Sequence, residues 1–321
     1  MNRNTLIVAI LALLAIVGAY FLGRAEVSGA PSPSGADTDA ERATQAQAAG
    51  ASASPAPPPA IVKGATLPPP GTPLKDMFAS LQARANAGDA NAASRLVREL
   101  DRCNRLGDAE SNTAAATNEL TRNKTDGMTP AQLRTYQTLL DTMEVRQDVL
   151  RKNQAICAGV TDAMRETLVP NIAQAARLGD EDARSCYLDR GPLYDPASLL
   201  KHPESLRSYA GNARSMIDAG LAAGDWRVVD LLQRAYQPGE QDLLAGMLGA
   251  DPVQHYRYLK LYRLGAEPHR VAKLDQQIAQ ATAGLTSAQL VDADAWAQDR
   301  LRGFQESSTS ATPEGWETCA F

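Results

Sequence analysis

From Leu74 onward, apolar side chains recur every three or four residues, the period of an amphipathic helix. Leu74, Met77, Phe78 and Leu81 mark one face of a first helix ending near Gly88, and Asp89 begins a second with Ala92, Leu96, Leu100 and Cys103 in register. Residues 107–128 are mostly polar and read as a partly helical insertion. Thr129-Pro130 then offers a capping hydroxyl and a first-turn proline, and opens one long helix to Cys157. The periodicity resumes over Thr161–Leu178, with a kink or restart expected at Pro170, and continues over Asp180–Asp189, Pro203–Ala223, Asp225–Tyr236, Asp251–Leu264, 267–282 and 287–303. No segment alternates with the two-residue period of a strand. The expected body is all α.

A shorter pattern is laid over this one. Gly-Asp follows a helical stretch at Gly88-Asp89, Gly179-Asp180 and Gly224-Asp225, each with an apolar residue four positions after the glycine (Ala92, Ala183, Val228). The copies stand 91 and then 45 residues apart, close to two periods and one of a single unit. Glycine suits the left-handed residue that closes one helix, and aspartate can cap the amides of the next. The expected architecture is therefore a right-handed α-solenoid of stacked helical hairpins.

The stretch from Ala222-Ala223-Gly224-Asp225 through Leu231-Leu232, Ala235-Tyr236, Pro238-Gly239 and Asp251-Pro252 to Tyr256, Leu261 and Gly265 resembles a Sel-one-like repeat, a subtype of the tetratricopeptide-like superfamily. In that likeness Gly224 is the inter-repeat glycine, Tyr236 with Gly239 closes the first helix, Asp251 starts the second and Gly265 closes the unit. The chain departs from the pattern at Glu240–Ala250, which replaces the usual run of glycines, and lacks the lysine-alanine step after Asp251. The copies at Gly88 and Gly179 keep mainly the Ala-x-x-Gly-Asp-x-x-Ala core. The resemblance implies a curved hairpin stack that binds proteins or peptides, often in envelope or signalling assemblies.

Ahead of the body the pattern changes twice. Between Arg3 and Arg24 lie 20 residues without a charge. Residues 5–22 would cover about 27 Å as a helix, close to a bilayer's hydrocarbon thickness. We read residues 1–24 as an uncleaved signal anchor in the inner membrane; Pro31 argues against cleavage after Ser28-Gly29-Ala30. Residues 25–72 are rich in Pro, Ala, Ser and Gly and lack apolar periodicity, as expected of a disordered linker reaching roughly 40 Å. The body then spans 73–305 and a tail 306–321, and the expected address is single-pass with the body in the periplasm.

Composition narrows the function. The net charge of −5 and pI near 5.4 give no reason to expect nucleic acid. Aromatics make up only 5% of the chain, so the core must be built from small and aliphatic side chains. The expected partners are other envelope proteins or peptides. Four cysteines, at 103, 157, 186 and 319, lack metal-ligand spacing and in an oxidising compartment favour disulfides. Of the three connectivities we favour Cys103–Cys157, which joins two helix ends across the insertion, leaving Cys186 to fasten the tail through Cys319. On the chain-entropy view the first bridge stabilises by about 4 kcal/mol.

The three histidines, His202, His255 and His269, fall singly at helix entrances or on one helix, so no metal or cofactor is expected. No nucleophile elbow or phosphate loop occurs, and no catalytic residue is assigned. The alternative is a peptidoglycan-cleaving enzyme of the lytic transglycosylase kind, because Glu110-Ser111, Glu204-Ser205 and Glu306-Ser307 are present; none is followed by that family's Gly-rich, Gln-containing signature. The aromatic group Trp226, Tyr236, Tyr256, Tyr258 and Tyr262 is the candidate recognition surface, with the filling of the seam between hairpins as the competing and favoured role.

Overall fold

Each Gly-Asp copy is one turn geometry, repeated. Gly88, Gly179 and Gly224 have φ of 91°, 100° and 70°, the left-handed region that a Cβ disfavours. The following amide reaches back to close the preceding helix: Asp89 N–H to Arg84 O at 3.0 Å, Asp180 N–H to Ala175 O at 3.0 Å, Asp225 N–H to Gly220 O at 2.9 Å. Each aspartate then caps forward. Its carboxylate accepts the amide of Ala92 at 3.1 Å, Ala183 at 2.8 Å or Arg227 at 3.0 Å. The apolar partners Ala92, Ala183 and Val228 are wholly buried.

The computed structural model describes residues 66–123, 125–307 and 316–321, with the side chains of 305–307 excepted, all within the unit Pro59–Phe321. The expected anchor at 5–22 and nearly all of the linker lie outside the described residues. Among the described residues every regular element is helical, and no helix is long and apolar enough to cross a membrane.

The first hairpin is α1 (Leu74–Asn86) and α2 (Ala90–Asn104). The polar insertion forms more helix than its sequence suggests: α3 (Leu106–Arg122) pairs with α4 (Pro130–Cys157). A full capping box starts α4, Gln132 N–H to Thr129 Oγ1 at 3.3 Å and Thr129 N–H to Gln132 Oε1 at 2.8 Å. Tyr136, Met143 and Leu150, seven residues apart, are the large partly covered apolar side chains along α4, and the Tyr136 hydroxyl donates to Leu120 O at 3.3 Å. The seam's α3 side is small or polar, which is why periodicity alone did not reveal it.

A short turn, α5 (Asp162–Arg165), precedes α6 (Leu168–Arg177), so the expected break falls just before Pro170. That proline sits in the first turn of α6, where no helical donor is needed. α7 (Glu181–Asp189), a 3₁₀ turn (Gly191–Tyr194) and α8 (Pro196–Lys201) lead to α9 (Ser205–Ala222) and α10 (Trp226–Ala235). α11 (Leu243–Leu248), α12 (Pro252–Leu264), α13 (Pro268–Ala281) and α14 (Ser287–Ser307) follow. The short pieces α8 and α11 had no periodic signal, being only 6 residues each.

Packing follows chain order. α2 lies on α6, α7 on α9 and α10, α10 on α12, and α12 on α13 and α14. The α3–α4 hairpin is passed over, and the remaining hairpins bury their apolar stripes against the next along the chain, as with Leu168, Ile172 and Ala175 on α6 and Val228, Leu231 and Leu232 on α10. Two covalent clasps reinforce the stack. Cys103–Cys157 (2.03 Å) ties the end of α4 to α2, and Cys186–Cys319 (2.03 Å) ties the tail to α7, which is the pairing favoured from the sequence. The tail is further held by Thr318 Oγ1 donating to Asp189 Oδ2 at 2.7 Å, by Arg105 Nη2 donating to Cys319 O at 2.5 Å, and by the edge of Phe321 against Tyr194.

Candidate functional site

A groove of about 890 Å³ runs over α6, with α1 on one side and α8–α9 on the other. Helical spacing brings it together. Phe78, Gln82 and Asn86 stand four apart on α1 and share a face; α6 gives Val169, Pro170, Ala173 and Gln174 as floor; α9 gives Ser205, Ser208 and Asn212 as the far wall.

The polar part of the floor is fixed rather than free. Asn171 is 3% exposed and exchanges two hydrogen bonds with Gln82, Nε2 to Oδ1 and Nδ2 to Oε1, both 3.0 Å. Its amide also donates to Thr167 O at 2.9 Å. A buried amide so paired keeps its orientation, because breaking the pair would strand a donor and an acceptor. At the far wall Tyr187 is buried against Tyr209 and its hydroxyl accepts Asn212 Nδ2 at 3.3 Å; burial pushes its phenol above the ordinary range.

Charge lies at the rim. Glu166 is paired with Lys201, and His202 Nδ1 lies 3.3 Å from Glu204 Oε1. Arg177 is exposed there. The groove thus combines an apolar floor, oriented amides and a mixed-charge rim, a lining suited to holding a chain of mixed polarity by shape and hydrogen bonds.

The five aromatics singled out in the sequence lie elsewhere and are largely covered. Trp226 is 5% exposed, 4.8 Å from the Phe304 ring and close enough to Gly265 that a Cβ there would meet the indole at 2.3 Å. Tyr258 stacks on Tyr236 at 5.8 Å and meets Trp296 edge-on at 5.2 Å; burial raises its phenol to about 12. Tyr256 donates to Asp294 Oδ1 at 3.3 Å, and Tyr262 accepts Arg270 Nη2 at 2.6 Å. The group joins α10, α12 and α14 and presents no open aromatic face.

Of the Glu-Ser pairs, Glu204-Ser205 lies in the groove. The Glu204 side chain is 66% exposed, whereas a glycosidic acid catalyst is sheltered from water. Glu110 is half-buried and accepts Gln154 Nε2 at 2.9 Å; the Glu306 side chain lies outside the described set. Among the described residues no three His, Cys, Asp or Glu side chains gather as a metal site. The histidines sit apart, His255 Nδ1 contacting Gln233 O at 2.5 Å and His269 flanking Glu267. No family model, no curated protein and no solved structure matches the chain.

The amides of the groove carry no signal in the sequence for a physical reason. Gln82, Asn86 and Gln174 occupy what looks like the solvated face of an amphipathic helix. The packing of α1 and α9 beside α6 turns that face into a groove wall. The buried Asn171, one position before Ile172 on an otherwise apolar face, was the one available signal.

Proposed function

We propose that the chain is a membrane-tethered, non-enzymatic helical-repeat scaffold of the cell envelope, a right-handed solenoid in which the groove over α6 receives an extended segment of a partner protein. The observation that carries the reading is the groove itself: the first helices of successive hairpins wall it, and its amides are held in fixed orientation by their own pairing. Chain-order packing and the repeated Gly-Asp turn support the solenoid and the likeness to Sel-one-like repeats. Two disulfides between buried cysteines favour an oxidising address such as the periplasm. The anchor at residues 5–22 rests on sequence alone.

The test is selection of peptides from a random display library on the purified protein, followed by the Gln174→Arg, Asn212→Arg variant. The expected result is a recurring peptide class whose binding the variant loses while both disulfides and the melting temperature persist. Failure to enrich any class, or binding indifferent to the variant, overturns the reading. The presence of Glu204 in the groove keeps one second reading, a glycan-cleaving enzyme. Peptidoglycan turnover by the protein, abolished in Glu204→Gln, is the result that would establish it instead.

A further inference from the structure

The α3–α4 hairpin carries a second stripe that nothing among the described residues covers. Thr135, Thr138, Thr142, Val145, Val149 and Lys152 follow one another at alternating steps of three and four residues along α4. This is the spacing of a coiled-coil interface, with Thr135, Thr142 and Val149 in one set of core positions and Thr138, Val145 and Lys152 in the other. All six are exposed, Val145 by 64% and Val149 by 49%. The stripe lies about a third of a turn around α4 from the Tyr136–Met143–Leu150 positions.

Its chemistry suits burial. The three threonine hydroxyls donate back to their own helix, Thr135 to Ala131 O at 3.2 Å, Thr138 to Arg134 O at 3.0 Å and Thr142 to Thr138 O at 2.8 Å. With those donors satisfied, covering the stripe strands no hydroxyl proton. Lys152 is already neutralised by Asp148 Oδ2 at 2.6 Å.

The flanking charges say what fits. Asp141 precedes one core position and Arg146 follows another, the two flanks that meet across a parallel pair five residues apart. Among the described residues Asp141 accepts the Gln137 amide at 3.0 Å and has no ion pair, and neither has Arg146. A parallel copy of α4 brings Asp141 to the copy's Arg146 and Arg146 to the copy's Asp141. An antiparallel copy that aligns Thr142 with the copy's Val145 sets Asp141 against Asp148 instead. We propose that the chain self-associates as a parallel two-fold dimer through this stripe of α4.

The test is sedimentation of the detergent-solubilised full chain across concentration, with single cysteines added at Val145 and, as a control off the stripe, at Glu144. The expected results are a concentration-dependent dimer, its loss in Val145→Glu, Val149→Glu, and about tenfold more oxidative cross-linking for Val145→Cys than for Glu144→Cys, since a disulfide needs Cβ atoms about 4 Å apart. Both replaced valines are solvent-exposed, so the fold is expected to survive, which an unchanged melting temperature checks. A chain that stays monomeric overturns the proposal. So does a dimer that ignores the glutamates, or one whose Val145→Cys form links no better than the control.

Discussion

The turns at Gly88-Asp89 and Gly224-Asp225 share a sequence, a left-handed glycine and a forward cap, yet their carboxylates live in opposite electrostatic settings. Asp89 faces Arg84 of its own hairpin, Nη2 to Oδ2 at 2.6 Å, and is 27% exposed. Asp225 receives Arg184 from the preceding hairpin, Nη1 to Oδ2 at 2.7 Å, with the two side chains 2% and 5% exposed. The middle copy is intermediate, Asp180 accepting Ser94 Oγ and lying 3.8 Å from Arg98. Local sequence therefore dictates the backbone of the turn. Stacking decides whether its charge is a surface cap or a buried ion pair.

The largest effect should come from removing the cation. Arg184→Ala leaves a buried carboxylate unpaired, and about 3–5 kcal/mol is expected to be lost. Arg84→Ala removes a solvent-facing partner and should cost under about 1 kcal/mol. Urea midpoints of the two variants decide; equal losses would dissolve the contrast between the turns.

The next break concerns space. Gly220 lies on α9 where α10 crosses, and an added Cβ would sit 2.5 Å from Val228 Cγ2 and 3.2 Å from Arg184 Cδ. Gly220→Ala should therefore destabilise by about 1–3 kcal/mol through overpacking, despite alanine's better helix propensity. Gly107 in α3 meets nothing within 4 Å, so Gly107→Ala should stabilise by up to about 1 kcal/mol. Thermal melts showing the same sign for both would mean that the α9–α10 contact is looser than described.

Those contrasts also mark what the chain reveals by itself. The helices of the body, the three turns and the favoured cysteine pairing were readable because each rests on local rules: a 3.6-residue period, a positive-φ glycine, a capping aspartate, thiols at helix ends. The helix from Leu106 to Arg122 was underestimated because its covered side is mostly small or polar, with Ala109, Thr113, Ala116 and Thr117, and Leu120 is the one large apolar residue beyond its first turn. Nothing in the local pattern marks Arg184, one position after the buried Ala183, as an interior cation. Its burial depends on Asp225, 41 residues away. Non-local pairing of polar groups has no periodicity to read, and the groove with its Gln82–Asn171 clasp was hidden in the same way.

A smaller effect isolates the cap. Asp89→Ala should cost about 1 kcal/mol, the usual value of an N-cap carboxylate, with the amide of Ala92 left to water. Asp89→Asn, which keeps an acceptor, should lose only a fraction of that. Amide exchange in the first turn of α2 is the direct reading, and unchanged protection in Asp89→Ala would show that packing alone holds the helix start.

The finest distinction is the sign of the pH dependence. At Asp89 the Ala92 amide and then Arg84 hold the carboxyl below its ordinary 3.8, so the fold binds fewer protons than the unfolded chain there. Its contribution is present above 3.8 and is lost as acid titrates through the lowered value. At Asp225 burial pushes the carboxyl up, with Arg184 opposing, so the folded protein retains the proton longer than the unfolded chain. That contribution has the other sign, present on the acid side and lost as pH rises through the raised value. Unfolding free energy against pH should therefore show a shallower acid-side fall in Asp89→Asn and a shallower decline above 3.8 in Asp225→Asn. Slopes rather than offsets carry the answer, because the second variant also leaves Arg184 without its counter-charge at every pH. Two slopes of the same sign would mean that Arg184 outweighs burial and that the inner turn behaves electrostatically like the outer one.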